Sequence, residues 1–168
     1  MPRATFALTE LVVRRRTMAI NPKYLPAPRG KHQLRFSYSQ RYPQREAIVD
    51  LPSSPFQQRT LKIIVDRQTA WDPVTEDQVA LIDRILDGLP ELIGFVVSKL
   101  KEQDSSFEDP EVFRDYFTQA QIWLSEREEY PRVSWTFVVE RLDEEGDAIF
   151  GTHLEFNGDR FQEIWAGS

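Results

Sequence analysis

Residues 148–165 read AIFGTHLEFNGDRFQEIW. Two segments of period two flank Asn157-Gly158. A two-residue type I′ turn needs positive φ at both central positions, and Asn-Gly tolerates this best. The stretch therefore reads as a β-hairpin, Ala148–Phe156 and Asp159–Trp165. A turn at Asn157-Gly158 sets a register with Phe156 opposite Asp159, Leu154 opposite Phe161, Thr152 opposite Glu163 and Phe150 opposite Trp165. The other face then pairs His153 with Gln162 and Glu155 with Arg160. The latter is an exposed ion pair worth under ~1 kcal/mol.

Upstream, Val133–Leu142 alternates Trp135, Phe137 and Val139 with polar residues, and Gln121–Arg127 places Ile122 and Leu124 on one face. Both are strand patterns, and with the hairpin they make a C-terminal meander. Before it the period is helical. Thr75 and Gln78 form a capping box, in which each side chain satisfies the other residue's free backbone N–H. Leu81, Ile82, Ile85 and Leu86 follow at helical spacing, and Gly88 ends that helix. Pro90 opens a second helix where its missing N–H costs nothing. Its buried stripe is Leu92, Ile93, Val96, Val97 and Leu100. Asp109-Pro110-Glu111 starts a third, with Val112, Phe113, Tyr116 and Phe117 as the apolar face.

The first half is rich in strands and loops. Leu34, Phe36 and Tyr38 alternate with polar residues, Arg45–Leu51 is a short strand, and Thr60–Asp66 puts Leu61, Ile63 and Val65 on one face. Pro22, Pro26 and Pro28 mark Asn21–Gly30 as a connector, and Pro52-Ser53-Ser54-Pro55 is a turn. Phe6–Val13 fits a strand or a short helix equally. Strands thus precede and follow a helical block. That order predicts an α+β fold, an antiparallel sheet whose C-terminal β-meander packs against two to three helices. At 168 residues the chain is the size of one domain, 1–168. Met18 is a second candidate start, which would make 1–17 an appendage.

Composition excludes several chemistries. With 40% hydrophobic residues the chain is outside the regime of disorder. It has no cysteine, so disulfides, thiolate nucleophiles and thiolate-bound zinc are excluded. Its seven glycines form no phosphate-binding cluster. No apolar run approaches the ~20 residues of a membrane span. The apolar piece Thr5–Val13 precedes Arg14–Arg16, the reverse of a secretory signal, which predicts a cytoplasmic protein. His32 and His153 have no histidine partner at ligand spacing, and His153 reads as a solvent-facing strand residue. No cofactor, metal or catalytic residue is expected.

Charge divides the chain near position 70. Residues 1–69 carry thirteen Lys/Arg and four Asp/Glu, a net +9, and residues 70–168 carry eight and twenty-three, a net −15. Arg14–Arg16, Lys23, Arg29, Lys31, Arg35, Arg41 and Arg45 interleave with Tyr24, Phe36, Tyr38 and Tyr42, as on some nucleic-acid surfaces. The net acidity of the chain disfavours a polyanion, so the basic part is expected to pack beside the acidic helices. The acids then point to a protein partner, whose capture they would accelerate. Candidate partner-binding residues are Asp83, Asp87 and Glu91 on the helices and Asp143, Glu144 and Glu145 at a hairpin tip. The tip could also hold a hard cation, although it lacks the ligand spacing of a calcium loop.

The second half resembles a bacterial domain group of unassigned function, often encoded near toxin genes, whose members are commonly taken as immunity proteins. The resemblance covers about residues 71–166. It rests on Pro73-Val74-Thr75-Glu76-Asp77-Gln78 followed by Leu81-Ile82 and Ile85-Leu86. It continues in Leu142-Asp143-Glu144-Glu145-Gly146-Asp147, His153–Phe156 and Asp159–Ile164. The group's turn carries a Trp and a His that are absent here, so no role of those residues is transferred. The resemblance implies a non-catalytic α+β protein that neutralises a partner, such as a toxin, by occlusion. Two other readings remain open: a structural subunit docking through its split charge, as in a homo-oligomer, and an enzyme using carboxylates in a cleft.

Overall fold

A computed structural model describes residues 30–38, 44–66, 73–124 and 134–167. Seven strands form one sheet in sequence order: β1 Ser37–Tyr38, β2 Gln44–Asp50, β3 Thr60–Asp66, β4 Gln119–Leu124, β5 Ser134–Leu142, β6 Ala148–Asn157 and β7 Arg160–Gly167. Three α-helices lie between β3 and β4: α1 Glu76–Asp87, α2 Leu89–Gln103 and α3 Pro110–Tyr116, with a 3₁₀ turn at Ser105–Glu108. The class is α+β, as the order of elements predicts. Neighbouring strands are antiparallel except β3 and β4, which run parallel. The helical block is the crossover that a parallel pair requires. No described helix is long and apolar enough to cross a membrane.

The helices form where the local signals place them. Thr75 N donates to Gln78 Oε1 at 2.9 Å and Gln78 N to Thr75 Oγ1 at 3.3 Å, completing the capping box. Gly88 closes α1 and precedes α2, with Pro90 in its first turn. Asp109 caps α3 by accepting from Glu111 N at 2.8 Å. Val112 departs from expectation. It is 42% exposed, while Phe113 and Phe117 enter the core.

The core lies between the helices and one sheet face. Leu61, Ile63 and Val65 of β3, Ile122 of β4, Phe137 and Val139 of β5 and Leu154 of β6 are fully buried there with Ile82, Val96 and Leu100 of the helices. Each such side chain contributes roughly 1.5–3 kcal/mol through lost water contact. Register also sends Arg45 to this face, opposite Val65, and it is buried. It is therefore no part of an exposed basic strip. Ile64 and Val138 are buried too, but outside this cluster, because they alternate onto the opposite face. That face has no helix over it among the described residues, and is called the open face below.

The hairpin departs from its expected register. Asn157 pairs with Arg160, so Gly158 and Asp159 form the loop, with Gly158 at φ +58°. Trp135 Nε1 donates to the Gly158 carbonyl at 2.8 Å and holds the turn to β5. A bulge then shifts the ladder, Phe156 facing Phe161 but Glu155 facing Glu163. Gln162 is the extra residue. The cause is the three-residue spacing of Phe161 and Ile164, since both can reach the core only if one intervening residue leaves the alternation. Trp165 consequently moves to the open face, opposite His153 rather than Phe150. The expected Glu155–Arg160 pairing is replaced by Glu155 opposite Glu163.

The expectations for 1–29, including the appendage, Phe6–Val13, the connector and Arg14–Arg16, lie outside the described residues. So do Arg41, Tyr42 and Trp71.

Candidate functional site on the open face

Two of the six expected acids are engaged by the basic segment. Asp83 Oδ2 accepts from Lys31 N at 2.6 Å, and its Oδ1 accepts from His32 N at 3.2 Å. Asp87 Oδ1 meets Lys31 Nζ at 2.6 Å and His32 Nε2 at 3.0 Å. Hydrogen bonds from Lys31 and then His32 hold the Asp87 carboxyl below its usual range. The approach depends on Gly30, where a Cβ would lie 2.5 Å from Val79 Cγ1 and 2.7 Å from Asp83 Oδ2. This is the packing of basic segment on acidic helix that the charge division predicts.

Glu91 is exposed, on the rim of a groove formed with Leu92, Phe95 and Phe161. At the β5–β6 hairpin tip, carboxylate oxygens of Asp143, Glu145 and Asp147 lie within 4.8 Å of one another, and all three residues are exposed. Asp143 Oδ1 accepts from the backbone N of Glu145 and of Asp147, each at 2.9 Å. Asp143 thereby closes the tight turn, a local role that short acidic side chains commonly fill. Glu144 is exposed beside it.

A different constellation stands on the open face. A cleft of about 490 Å³ crosses one end of the sheet, lined by Asp66 of β3, Trp123 of β4, Thr136 of β5, Glu155 of β6 and Glu163 and Trp165 of β7, among others. His153 lies flat on Trp165, ring centroids 3.8 Å apart and planes 3° from parallel. Trp165 Nε1 donates to Glu155 Oε1 at 2.8 Å. The shelf beneath the rings is built from glycine. Gly151 and Gly167 are Cα partners. A Cβ on Gly151 would come 3.1 Å from His153 Nε2, and one on Gly167 would come 3.0 Å from Trp165 Cζ3.

The cleft is acidic. Asp66, Glu155 and Glu163 line it, and no Lys or Arg does so among the described residues. Asp66 is held by Gln44 Nε2 at 3.0 Å. Glu155 and Glu163 are direct cross-strand partners on one face, an arrangement in which like charges repel. The next acid along the face, Glu140, is satisfied by the side-chain amides of Gln119 and Gln121. Burial pushes the His153 pKa below its ordinary 6.5, while Glu140 and Glu155 pull the other way. The net direction favours the neutral ring. In the cleft wall the buried Trp123 Nε1 has no hydrogen-bond partner among the described residues.

Sequence reasoning passes over Glu155, Glu163, Trp165 and Trp123 as site residues. It treats His153 as solvent-facing, whereas the residue is partly buried beneath an aromatic ring. The signal available was the spacing of Phe161 and Ile164, which demands a bulge and sends Glu163 and Trp165 to the face of Glu155 and His153. Comparison of the chain with protein-family models, curated proteins and solved structures gives no match.

Proposed function

We propose that the protein is a binding protein that holds a protein partner by a basic side chain seated in the open-face cleft, acting by occlusion as an immunity-type inhibitor does. One observation carries this reading: Glu155 and Glu163 stand opposite each other, with no Lys or Arg lining the cleft among the described residues. Such a pair costs stability in the free protein, and a partner's cation relieves that cost. Aromatic walls strengthen the attraction by excluding water and presenting π faces to the cation. The resemblance of residues 71–166 to an immunity-type group supports a toxin as the partner class. Asp83 and Asp87, already engaged by Lys31 and His32, serve the protein's own stability.

The test is co-expression with the product of the adjacent gene and titration of the purified pair. Glu155→Gln with Glu163→Gln is expected to weaken binding about tenfold or more and to flatten its salt dependence. Asp143→Asn with Glu145→Gln is expected to leave it unchanged. Binding indifferent to the cleft pair, or no complex at all, overturns the reading.

A further inference from the structure

We infer that the group this cleft selects is a planar guanidinium, the side chain of a partner arginine, in preference to a lysine ammonium. The inference rests on the reading of the cleft as the partner site and names what enters it.

Three features of the cleft match a guanidinium. The first is the geometry of its acids. Direct cross-strand partners place their Cβ atoms ~4.5–5.5 Å apart. The Trp165 indole N–H fixes one oxygen of Glu155 at 2.8 Å and so orients that carboxylate. Glu163 is exposed and has no hydrogen bond or ion pair among the described residues. A guanidinium carries five donors in a rigid fork and can serve two adjacent carboxylates at once. An ammonium is a compact, strongly hydrated charge and gains less from the same pair.

The second feature is the wall. Trp123 and Trp165 both line the cleft, and Trp165 is 42% exposed. A guanidinium stacks on an indole face and also pairs with carboxylates in its own plane. His153, itself in the cleft lining, stacks on one face of Trp165, so the indole is held rigid before the ligand arrives. Pre-arrangement of this kind lowers the entropic cost of binding.

The third feature is room and charge. The cleft volume of about 490 Å³ lies in the range of ligand pockets, ~300–1,000 Å³, and accepts a long side chain. Arg160 is the cation on this face of the hairpin, paired with Asn157 beside the turn, and it does not line the cleft. The competing occupant is an arginine of this same chain, since Arg67, Arg127 and Arg132 lie in the segments that follow β3 and β4.

The experiment titrates the full-length protein, ¹⁵N-labelled, with N-acetyl-arginine methylamide and separately with N-acetyl-lysine methylamide, following the tryptophan indole N–H signals. The arginine probe is expected to shift the Trp165 signal and to bind about three- to tenfold more tightly than the lysine probe. Glu163→Gln is expected to abolish that preference. Equal affinity for the two probes, no shift, or arginine binding unchanged in Glu163→Gln overturns the inference. Thermal melting of Glu163→Gln tests for an internal occupant. An unchanged or higher Tm is expected. A lower Tm together with no probe binding means that the chain's own arginine fills the cleft, and the inference fails. If the adjacent-gene product still needs Glu155 and Glu163 while the probes show no arginine preference, the inference falls and the partner-site reading stands. If the product binds without them, the reading itself falls.

Discussion

His153 and Trp165 face each other across β6 and β7 with their rings stacked 3.8 Å apart, and each ring rests where a neighbouring glycine has no Cβ. The pair exists because the bulge at Gln162 turns Trp165 from the core to the open face. It fixes the indole that in turn holds Glu155. Burial, bulge and glycine shelf thus converge on one carboxylate.

Gly167→Ala should disturb this arrangement more than a surface substitution normally does. Its new Cβ would lie 3.0 Å from Trp165 Cζ3, so the ring must give by a few tenths of an ångström, and a shift that takes it off its rotamer costs about 0.5–1.5 kcal/mol. Near-ultraviolet circular dichroism should lose tryptophan intensity, with a modest fall in Tm. Unchanged spectra would show that the shelf has room to spare.

Stability should depend on His153 in mildly acid solution. Burial lowers its pKa in the folded chain from 6.5, so below that value the unfolded chain binds the proton first. Stability is complete above about pH 6.5 and falls as pH drops toward the folded-state pKa, where the loss levels off. His153→Gln should remove this component of the pH dependence. The difference between denaturant-unfolding curves of the two proteins, measured from pH 8 to pH 5, isolates it. Identical pH profiles would rule out a buried, neutral His153.

Glu163→Lys should stabilise the protein while destroying the cleft's affinity for cations. The substitution turns a repelling cross-strand pair with Glu155 into an attracting one, a change of about 0.2–1 kcal/mol in each direction of sign. A rise in Tm with loss of partner binding is the expected combination. A drop in Tm would show that Glu163 already meets a cation in the free chain.

Gly30→Ala should loosen the contact between the basic segment and α1. A Cβ there overlaps Val79 and Asp83, and overpacking of this kind costs about 1–3 kcal/mol. The resonances of Lys31 and His32 should move toward those of a free chain. Charge reversal at Asp83 and Asp87 should lower Tm in the same way, partner or no partner. The Asp87 carboxyl sits below its ordinary 3.8. Its contribution is therefore present above that pH and lost as pH falls through the folded-state value. A Tm that stays constant in the Gly30 and Asp83 variants would mean the contact is incidental.

Much of the fold was legible because its signals are local. The Thr75–Gln78 capping box, the stop at Gly88, the starts at Pro90 and Asp109-Pro110, and the alternation of Leu61, Ile63 and Val65 or Trp135, Phe137 and Val139 each depend on residues within a few positions. Their outcome follows from backbone hydrogen bonding and period alone. The division of charge likewise announced that the basic segment and the acidic helix would meet, although not that Lys31 and His32 would do so through Asp83 and Asp87.

The set of elements, their order and the α+β class thus follow from local signals. The parallel pairing of β3 with β4, the burial of Arg45, the bulge at Gln162 and the cleft that brings Asp66, Trp123, Glu155, Glu163 and Trp165 together arise instead from contacts between distant segments. Register accounts for the difference. Side chains in a strand alternate, so a shift of one residue exchanges the faces. Which shift prevails depends on how Phe161 and Ile164 fit a core made by distant segments. The Asn157-Gly158 signal marked the hairpin correctly. The core then chose the pairing, and in doing so placed two glutamates side by side on the face that has no helix over it among the described residues.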